Sequence, residues 1–377
     1  MNVPRTDALQ RLSASGVSVW LDDLSRELLA GELDDLVEHY SVVGITSNPT
    51  IFASALAQGN RYDEQLKNLA FEGVSVQEAV FRITTDDVRS ACDRLRRVYD
   101  ATNRRNGRVS IEVDPGLAHD TQATVEEARR LWNTVDRENL FVKVPATPEG
   151  IPAIEQLIGE GISVNVTLIF SLSRYREVSA AYIAGLWTAA GRKLSLAPIA
   201  SVASFFVSRV DAAVEKLIGP DDQAAAEALR GQVAIANARL AYQNFKETLR
   251  SDDWRDLREQ GARPQRPLWA STGVKDPDLR DTLYVEELVA PQTVSTMPLR
   301  TLQAVADHGR ITSDTITGNY GAAQRTIRTA EDHGVDLAQV TEELEQDGVR
   351  KFEASWAELA GTVHQQLAQL EKQEQRE

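Results

Sequence analysis

The sequence predicts an α/β fold, a single (β/α)8 barrel enlarged by helical insertions and C-terminal helices. Short β-rich runs alternate with longer stretches of helical periodicity about eight times along the 377 residues. That alternation is typical of parallel βαβ units. An open, doubly wound sheet is the main alternative, but the sequence has neither a GxGxxG first turn nor a Walker-type phosphate loop. The barrel is therefore favoured.

The strands are predicted where apolar, β-rich runs are bounded by turn residues. We expect strands, in chain order, at Val17–Asp23, Val42–Asn48, Arg108–Asp114, Leu140–Thr147 and Ile162–Phe170, within Leu196–Phe206, and at Pro267–Thr272 and Thr293–Met297. The eighth has the least distinct pattern.

Helical periodicity fills the remaining segments. An amphipathic helix is expected over Asp7–Ala14, and helical insertions at about 53–106 and 207–260. A helical section from about 299 to 377 ends in a solvated tail rich in Glu, Lys and Gln. No low-complexity linker divides the sequence, so we expect one domain over residues 1–377.

The composition, 42% hydrophobic and 26% charged, is that of an ordinary soluble globular protein. The single cysteine, Cys92, excludes an intramolecular disulfide, and residues 1–7 lack the apolar region of a leader, so a cytoplasmic location is expected. No apolar run is long enough to span a bilayer. The formal charge of −15 argues against nucleic-acid or anionic-membrane partners, so an anionic ligand needs a local basic pocket. The five histidines lack ligand spacing, so no metal is expected.

Lys143 is the most unusual residue of the predicted strands. It lies within the apolar run Leu140–Thr147, and lysine is seldom fully buried unless it is paired or functional. Burial disfavours the charged form of an amine, and the neutral amine attacks carbonyls to form Schiff bases. The alternative is a lysine at a strand end whose ammonium reaches solvent.

Side-chain alternation places polar residues on one face of the first five strands. The apolar faces, such as Val164, Val166 and Leu168, are expected to pack on the surrounding helices. The opposite faces carry a polar set that we expect to turn toward the barrel axis: Asp22, Asn48, Glu112, Lys143, Asn165 and Thr167. These residues lie near C-terminal strand ends, where the active sites of (β/α)8 barrels are found.

Most members of this polar set also have an ordinary structural use. Asp22 is a candidate helix N-cap, and Asn48 before Pro49 a candidate turn residue. Glu112 has the alternative of a solvated strand position, and Asn and Thr at 165 and 167 are common in turns and strands. Together, however, buried polar groups from five strands must hydrogen-bond to one another, which marks a functional site more often than a core.

Six segments of the sequence resemble transaldolases: WLDDLSR (20–26), GITSNPT (44–50), SIEVD (110–114), VKVPAT (142–147), NVTLIF (165–170) and SFFVSR (204–209). TSNPT and KVPAT, in this order and at this spacing, are specific to the transaldolase superfamily. The similarity is to the longer bacterial type and runs from about residue 15 to the C-terminus. It implies a class I aldolase barrel with the Schiff-base lysine on the fourth strand, where the strand count independently places Lys143.

The resemblance also implies a reaction. A dihydroxyacetone unit would pass from sedoheptulose 7-phosphate or fructose 6-phosphate to glyceraldehyde 3-phosphate or erythrose 4-phosphate, in the non-oxidative pentose phosphate pathway. Lys143 would form the Schiff base, and Asp22, chosen over Asp23 from strand phase, would take and return the C4 hydroxyl proton. Glu112 would transfer protons through a water held with Thr167. A purely structural ion pair between Asp22 and Lys143 is the alternative.

Substrate-binding residues are implied as well: Asn48 and Asn165 for sugar hydroxyls, Ser204 and Arg209 for phosphate, and Phe206 as an aromatic wall. A planar guanidinium suits phosphate oxygens, although Arg209 near Asp211 would by itself indicate a surface ion pair. Shorter transaldolases have a second arginine after strand seven, where this chain has STGVK (271–275). Lys275 is expected to replace that arginine as a point charge.

Three other functions fit parts of the pattern. Free sugar-cleaving aldolases of the superfamily carry an amide at the glutamate position, so Glu112 favours a transferase. A catalytically silent barrel would lack the lysine or its carboxylates, and all are present. A metal-dependent phosphosugar enzyme would use Asp22, Glu112 and Asp114 and would be inactivated by chelators. The expected partners are sugar phosphates, with no cofactor, nucleic acid or membrane, and the expected assembly is a monomer or homodimer.

Overall fold

The computed structural model describes residues 7–57, 60–218 and 223–374, and these residues form a closed barrel of eight parallel strands. The strands are β1 (Val17–Asp22), β2 (Val42–Thr46), β3 (Arg108–Glu112), β4 (Leu140–Pro145), β5 (Val164–Ile169), β6 (Ser201–Phe206), β7 (Arg266–Ala270) and β8 (Thr293–Met297). Each strand pairs with the next, and β8 pairs with β1 to close the barrel. The predicted fold class is confirmed.

Helices surround the barrel. Within the described residues they are α1 (Asp7–Ala14), α2 (Leu33–His39), α3 (Pro49–Ala57), α4 (Asp63–Phe71), α5 (Val76–Arg94), α6 (Arg96–Ala101), α7 (Thr121–Val135), α8 (Gly150–Gly159), α9 (Leu172–Gly191), α10 (Ser208–Ile218), α11 (Gln223–Leu229), α12 (Val233–Thr248), α13 (Asp252–Glu259), α14 (Leu283–Glu287), α15 (Leu299–His308), α16 (Tyr320–Asp332) and α17 (Leu337–Glu374). None of these helices is long and apolar enough to cross a membrane. Residues 375–377 of the predicted solvated tail lie outside the described residues, as do residues 1–6.

Six strands, β1 to β5 and β7, end one or two residues sooner than predicted, and after β2 and β3 a polar side chain bonds to the backbone. Asn48 Oδ1 accepts from Ile51 N at 3.0 Å in the first turn of α3, and β2 ends at Thr46. Asp114 Oδ1 accepts from Gly116 N at 2.8 Å before a short 3-10 turn, and β3 ends at Glu112. After β2 and β3, these side-chain hydrogen bonds take the place of strand-to-strand hydrogen bonds at the C-terminal end of the barrel.

The end of β5 departs from the predicted alternation. Leu168, expected on the outer face, has a φ of 61°, and the pairing of β5 with β6 shifts between Val166 and Ile169. The Leu168 side chain instead lines a cavity beside Lys143. The prediction for Leu168 is wrong because a bulge breaks the two-residue period of a strand.

Trp20 fills the barrel interior beneath the strand ends. It is fully buried, and its ring centroid lies 6.1 Å from that of Phe141 on β4. Gly44 on β2 makes this possible, because a Cβ at that position would lie 2.5 Å from the indole ring. Phe141 shares a strand face with Lys143, so Trp20 and Phe141 form an apolar layer below the lysine.

Two buried arginines fill the N-terminal end of the barrel. Arg266 Nη1 donates to Ser18 Oγ at 2.7 Å, and the Arg108 guanidinium carbon lies 4.9 Å from the ring centroids of both Tyr99 and Phe141. Burial lowers the pKa of Arg108 to about 10 and that of Arg266 to about 9. The polar pocket lies at the opposite, C-terminal end of the barrel.

The long helix α17 covers the C-terminal end of the barrel. It packs against α3, α4, α5, α10 and β5. Its backbone approaches β5 closely at Gly348, where a Cβ would lie 2.9 Å from Leu168 Cδ2. Farther along the helix, Leu359 and Val363 are fully buried. The covering helix α17 therefore belongs to the wall of the barrel mouth.

Candidate active site

Lys143 on β4 holds its ammonium inside the barrel mouth. Its side chain is 7% exposed, and Nζ lies 2.7 Å from Glu112 Oε1 on β3. Nζ also donates to the Ser47 carbonyl oxygen at 3.1 Å. Lys143 and Glu112 are register partners in the sheet, which explains their proximity. The ammonium is thus buried, and Glu112 rather than Asp22 is its ion-pair partner.

Glu112 borders a small cavity together with Thr167. The cavity measures about 10 Å³, close to the room that one water molecule needs, and Lys143 and Phe352 also line it. Glu112 Oε1 is close enough to Nζ for an ion pair, but neither it nor Thr167 Oγ1 has a well-formed hydrogen bond among the described residues. Burial raises the pKa of the Glu112 carboxyl, against the opposing effect of the Lys143 ammonium. The cavity therefore offers polar partners for one water.

Asp22 reaches the pocket from the end of β1. Thr46 Oγ1 donates to Asp22 Oδ1 at 2.8 Å and lies 2.8 Å from Thr296 Oγ1. Asp22 lines the pocket that contains Lys143, whereas Asp23 is not among the lining residues. The Thr46 hydroxyl, itself hydrogen-bonded to Thr296 on β8, thus holds one carboxylate oxygen of Asp22 in place.

One pocket of about 170 Å³ brings most of the predicted residues together. Its predicted members are Asp22, Asn48, Lys143, Thr167, Ser204, Phe206, Arg209 and Lys275. Glu112 borders the adjoining small cavity instead. The two cavities share Lys143, so both reach the same amine.

Asn165 is the predicted residue that lines neither cavity. It is fully buried, its Nδ2 donates to Ser110 Oγ at 3.0 Å, and its Oδ1 accepts from Ser204 Oγ at 2.7 Å. This carboxamide links β3, β5 and β6 behind the pocket. These two bonds use one of the two N–H donors and one of the two acceptor sites of the carboxamide, so Asn165 keeps one of each.

The opposite part of the pocket is cationic. The Arg209 guanidinium carbon lies 5.4 Å from the Phe206 ring centroid, and Nη1 is buried with no hydrogen-bond partner among the described residues. Burial lowers the pKa of Arg209. The pKa of Lys275 is lowered by burial and then by the neighbouring cations Arg209, Lys351, Lys216 and Arg300. A half-buried guanidinium with an unpartnered nitrogen, beside a lysine, is suited to an anion such as phosphate.

Asp211 does not neutralise Arg209. Its Oδ2 accepts from the Tyr284 hydroxyl and its Oδ1 from Ala234 N, both at 2.8 Å. Asp211 is 2% exposed, and burial raises its pKa to about 7. The alternative of a surface ion pair between Arg209 and Asp211 therefore does not describe this site.

A second, outer groove of about 580 Å³ lies between α10 and α17 and adjoins the pocket at Arg209 and Lys275. We call it the outer groove, and its charged lining is Arg209, Lys216, Lys275, Glu343, Asp347, Arg350 and Lys351. Asp347 pairs with Lys351 at 2.6 Å. The groove thus carries more positive than negative side chains.

Asp114, the third carboxylate of the metal-dependent alternative, caps the turn that follows β3. Within the part of the chain that the structure describes, no three His, Cys, Asp or Glu side chains are grouped as metal ligands.

Comparison with known proteins identifies the family. Residues 19–363 match the family model described as transaldolase/fructose-6-phosphate aldolase. The chain belongs to this family. A transaldolase of Thermobifida fusca is 60% identical over 363 residues, covering 96% of this chain and 98% of that relative. Transaldolase 1 of Streptomyces avermitilis is 56% identical over 94% of each chain, and a transaldolase of Acidothermus cellulolyticus is 54% identical over 98% of this chain and 99% of the relative.

These comparisons confirm the family resemblance found in the six sequence segments, and with it the predicted transaldolase activity. The match begins within β1, at residue 19, and ends within the covering helix α17, at residue 363.

Eight lining residues of this transaldolase-family pocket were not predicted as site residues, and Arg300 and Phe352 have the largest side chains among them. Arg300 lines the pocket, and its Nη2 lies 3.7 Å from where a Cβ on Gly273 would be. The small residue after β7 thus leaves room beside an arginine that follows β8. A signal exists, because Arg300 comes three residues after β8 just as Arg209 comes three residues after β6. Phe352 also lines the pocket, but nothing in the local sequence of α17 indicates it.

Proposed function

We propose that the barrel pocket transfers a dihydroxyacetone unit between sugar phosphates through a Schiff base on Lys143. The observation that carries this proposal is the buried Lys143–Glu112 pair, 2.7 Å apart, in a mouth that also contains Asp22 and a cationic end. The donors are sedoheptulose 7-phosphate or fructose 6-phosphate. The acceptors are glyceraldehyde 3-phosphate or erythrose 4-phosphate.

Schiff-base formation needs an amine and a proton shuttle. Lys143 in its neutral form attacks the ketose carbonyl, and the resulting carbinolamine must lose its hydroxyl as water. Glu112 supplies that proton through a water in the small cavity, which Thr167 helps to hold. Support comes from Glu112 and from Thr167 Oγ1, which has no hydrogen-bond partner among the described residues, around a space of one-water size, and from the raised pKa of Glu112.

Carbon–carbon cleavage needs a base on the substrate side of the amine. Asp22 takes the C4 hydroxyl proton, the C3–C4 bond breaks, and its electrons move into the iminium to give an enamine. The aldose phosphate then leaves, and the same steps run in reverse with the acceptor aldehyde. The bond from Thr46 to Asp22 Oδ1 leaves the other carboxylate oxygen to serve as the base.

The cationic end is proposed to hold the phosphate of both donor and acceptor. Arg209 and Lys275 supply the charge, Ser204 a hydroxyl and Phe206 the aromatic wall. Asn48 holds a sugar hydroxyl from the pocket wall. Asn165 is proposed to act on substrate hydroxyls as well, and its bond with Ser204 gives it a route to the pocket.

The family description also includes fructose-6-phosphate aldolase, which would release dihydroxyacetone instead of transferring it. A glutamate rather than an amide at position 112 favours transfer. The assembly as a monomer or homodimer, the single domain over residues 1–377 and the cytoplasmic location remain predictions.

The test is to trap the covalent intermediate. The protein is incubated with fructose 6-phosphate without acceptor and reduced with borohydride, the adduct is mapped by peptide mass spectrometry, and free dihydroxyacetone is assayed in parallel. We expect a three-carbon adduct on Lys143 with little free dihydroxyacetone. Lys143→Met should abolish the adduct, and Lys67→Met, an exposed lysine on α4, should not.

Other outcomes of this experiment have defined meanings. Steady release of dihydroxyacetone would assign the aldolase activity. No adduct on folded protein, with either fructose 6-phosphate or sedoheptulose 7-phosphate, would overturn the Schiff-base role of Lys143. Loss of activity with a chelator would then favour metal-dependent chemistry.

A further inference from the structure

Phe352 lies over the amine from a distant part of the chain. It belongs to α17, and its ring centroid is 5.7 Å from Lys143 Nζ. The side chain is half-buried and packs against the hydrophobic core. Phe352 is therefore held in place rather than free to leave the pocket.

Phe352 also stands between the two cavities of the site. The pocket of about 170 Å³ and the small cavity beside Glu112 share three lining residues: Lys143, Thr167 and Phe352. Lys143 and Thr167 come from the barrel floor, so Phe352 is the shared wall contributed by the covering helix. Val349, one turn earlier on α17, lines the small cavity but not the larger pocket. The ring thus separates the one-water space beside Glu112 from the larger pocket.

We infer that Phe352 determines whether the covalent three-carbon intermediate is transferred to an acceptor or released as dihydroxyacetone. This inference rests on the proposed Schiff-base function. The ring limits the access of water to the nucleophilic carbon of the enamine, and so slows its protonation until an aldehyde arrives.

The two fates of the intermediate diverge at the enamine carbon. In transfer, this carbon forms a bond to the acceptor aldehyde carbon, the aldehyde oxygen takes a proton, and one water then hydrolyses the new iminium to free the ketose phosphate and the Lys143 amine. In release, the enamine carbon takes a proton instead, and one water hydrolyses the three-carbon iminium to give dihydroxyacetone and the Lys143 amine. Both routes end in the same hydrolysis, so a wall that keeps water and its protons away from the enamine carbon slows only the second route.

The ring also acts on the charge at the amine. A cation within about 6 Å of an aromatic centroid is attracted by the ring, and an iminium stays cationic until it is hydrolysed. At 5.7 Å from Nζ, Phe352 is placed to favour an iminium over the neutral carbinolamine, which increases the adduct that borohydride can trap. This effect acts on the iminiums of both routes, so the ratio of release to transfer depends on the exclusion of water from the enamine carbon.

The test compares three variants of Phe352 in the full chain. Fructose 6-phosphate and erythrose 4-phosphate are supplied together, and sedoheptulose 7-phosphate and free dihydroxyacetone are measured in the same reaction. Phe352→Ala should raise the ratio of release to transfer by roughly tenfold, which corresponds to a change of ~1.4 kcal/mol in the relative barriers. Phe352→Val should raise it less, and Phe352→Leu, which keeps most of the apolar bulk, should stay within about twofold of the native ratio.

A matched control separates this effect from loosened packing. Leu359 is fully buried on the same helix and lines neither cavity, so Leu359→Ala should lower stability and leave the ratio unchanged. The amount of borohydride-trapped adduct without acceptor should fall in Phe352→Ala and not in Leu359→Ala. If Phe352→Ala is not folded by circular dichroism, Phe352→Val carries the comparison.

The outcomes distinguish this inference from the function on which it rests. A ratio in Phe352→Ala equal to the native one, with both rates reduced in proportion, would make Phe352 a packing residue only and overturn the inference. A shift of the same size in Leu359→Ala would overturn it as well. Failure of the native protein to form any adduct on Lys143 would instead overturn the proposed function.

Discussion

Lys143 and Glu112 face each other within a buried part of the barrel, and each stabilises the charge of the other. Removal of one member of such a pair is strongly destabilising because the remaining charge is buried without a partner. Arg209 is half-buried, and its Nη1 has no hydrogen-bond partner among the described residues, although Asp347 and Asp22 act against the effect of burial on its pKa. The site therefore contains one buried ion pair and one half-buried cation with an unpartnered donor that suits an anionic ligand.

Arg300 should contribute to phosphate binding. We expect Arg300→Met to raise the KM for fructose 6-phosphate by roughly tenfold or more, because a charge-assisted hydrogen bond contributes about 1.5–3 kcal/mol. The measurement is steady-state kinetics with fructose 6-phosphate and with unphosphorylated fructose. The KM for fructose should be unchanged in this variant, and Arg325→Met, on the exposed face of α16, should behave as the native protein with both donors. An equal rise in both KM values would show that Arg300 does not contact the phosphate.

Asp211 should make stability depend on pH. Its pKa is raised from 3.8 to about 7 in the folded chain, so between these values the folded state keeps a proton that the unfolded state releases. The free energy of unfolding should therefore fall as the pH rises through this range, by at most ~1.4 kcal/mol per pH unit, and level off above about pH 7. Asp211→Asn keeps an acceptor for Ala234 N and should lack this part of the fall. The measurement is urea unfolding of both proteins from pH 4.5 to pH 8, and parallel curves would contradict the prediction.

At the scale of single residues, the sequence predicted which side chains reach the pocket better than which hydrogen bonds they make. Strand phase brought Asp22 to the pocket and left Asp23 out, because alternation is a local property of each strand. It did not reveal that Asn165 bonds to Ser110 and Ser204, since those residues lie on two other strands. Arg300 was missed although its spacing after β8 repeats that of Arg209 after β6.

At the scale of elements, the strands with clear alternation were predicted well, and β8 matched its predicted bounds although its pattern was the least distinct. The bulge at Leu168 was not predictable, because a positive φ at a leucine has no signature in residue type and is held by its surroundings. The position of α17 was not predictable either. Its helical periodicity is local, but its contact with β5 depends on the close approach of Gly348 to Leu168, some 180 residues apart in the chain.

The packing of α8 against α9 offers a test at this scale. Gly185 in α9 lies where a Cβ would be 2.7 Å from both the Glu155 carbonyl oxygen and Ile158 Cβ of α8. We expect Gly185→Ala to lower the free energy of unfolding by about 1–3 kcal/mol, the usual effect of overpacking a contact with rigid atoms. Urea unfolding provides the measurement.

Gly191 at the end of the same helix is the matched control. A Cβ there would meet nothing within 4 Å, so Gly191→Ala should be neutral or stabilising by up to ~1 kcal/mol, because alanine favours helix. Equal destabilisation by the two substitutions would show that the α8–α9 approach is not what limits position 185.

At the scale of the whole molecule, the net charge of the chain and the charge around the pocket have opposite signs. The chain carries a formal charge of −15, which repels anionic sugar phosphates at long range. The cations of the outer groove lie next to the pocket and reverse this effect locally. The composition gave the net negative charge and implied that an anionic ligand needs a local basic pocket. It did not show where the cations lie, because Lys216, Lys275 and Lys351 come from three different segments.

The outer groove should guide substrates to the pocket. Lys216 is exposed and lines the groove without lining the pocket, so Lys216→Gln should lower kcat/KM for fructose 6-phosphate a few-fold at low salt while kcat stays near native. The difference should shrink as ionic strength rises, because salt screens exposed charges. The measurement is kcat/KM at several salt concentrations, with Lys67→Gln as the control variant. A loss that persists unchanged at high salt would rule out guidance by charge.

The covering helix α17 follows all eight strands in the chain. During synthesis, every strand and every polar residue of the barrel floor leaves the ribosome before the residue that lies over the amine does. A chain interrupted between α16 and α17 would retain Lys143, Glu112 and Asp22 but not Phe352. By the inference above, such a chain would release more dihydroxyacetone and transfer less of it to an acceptor. Efficient transfer therefore begins only when the final helix has packed onto the barrel.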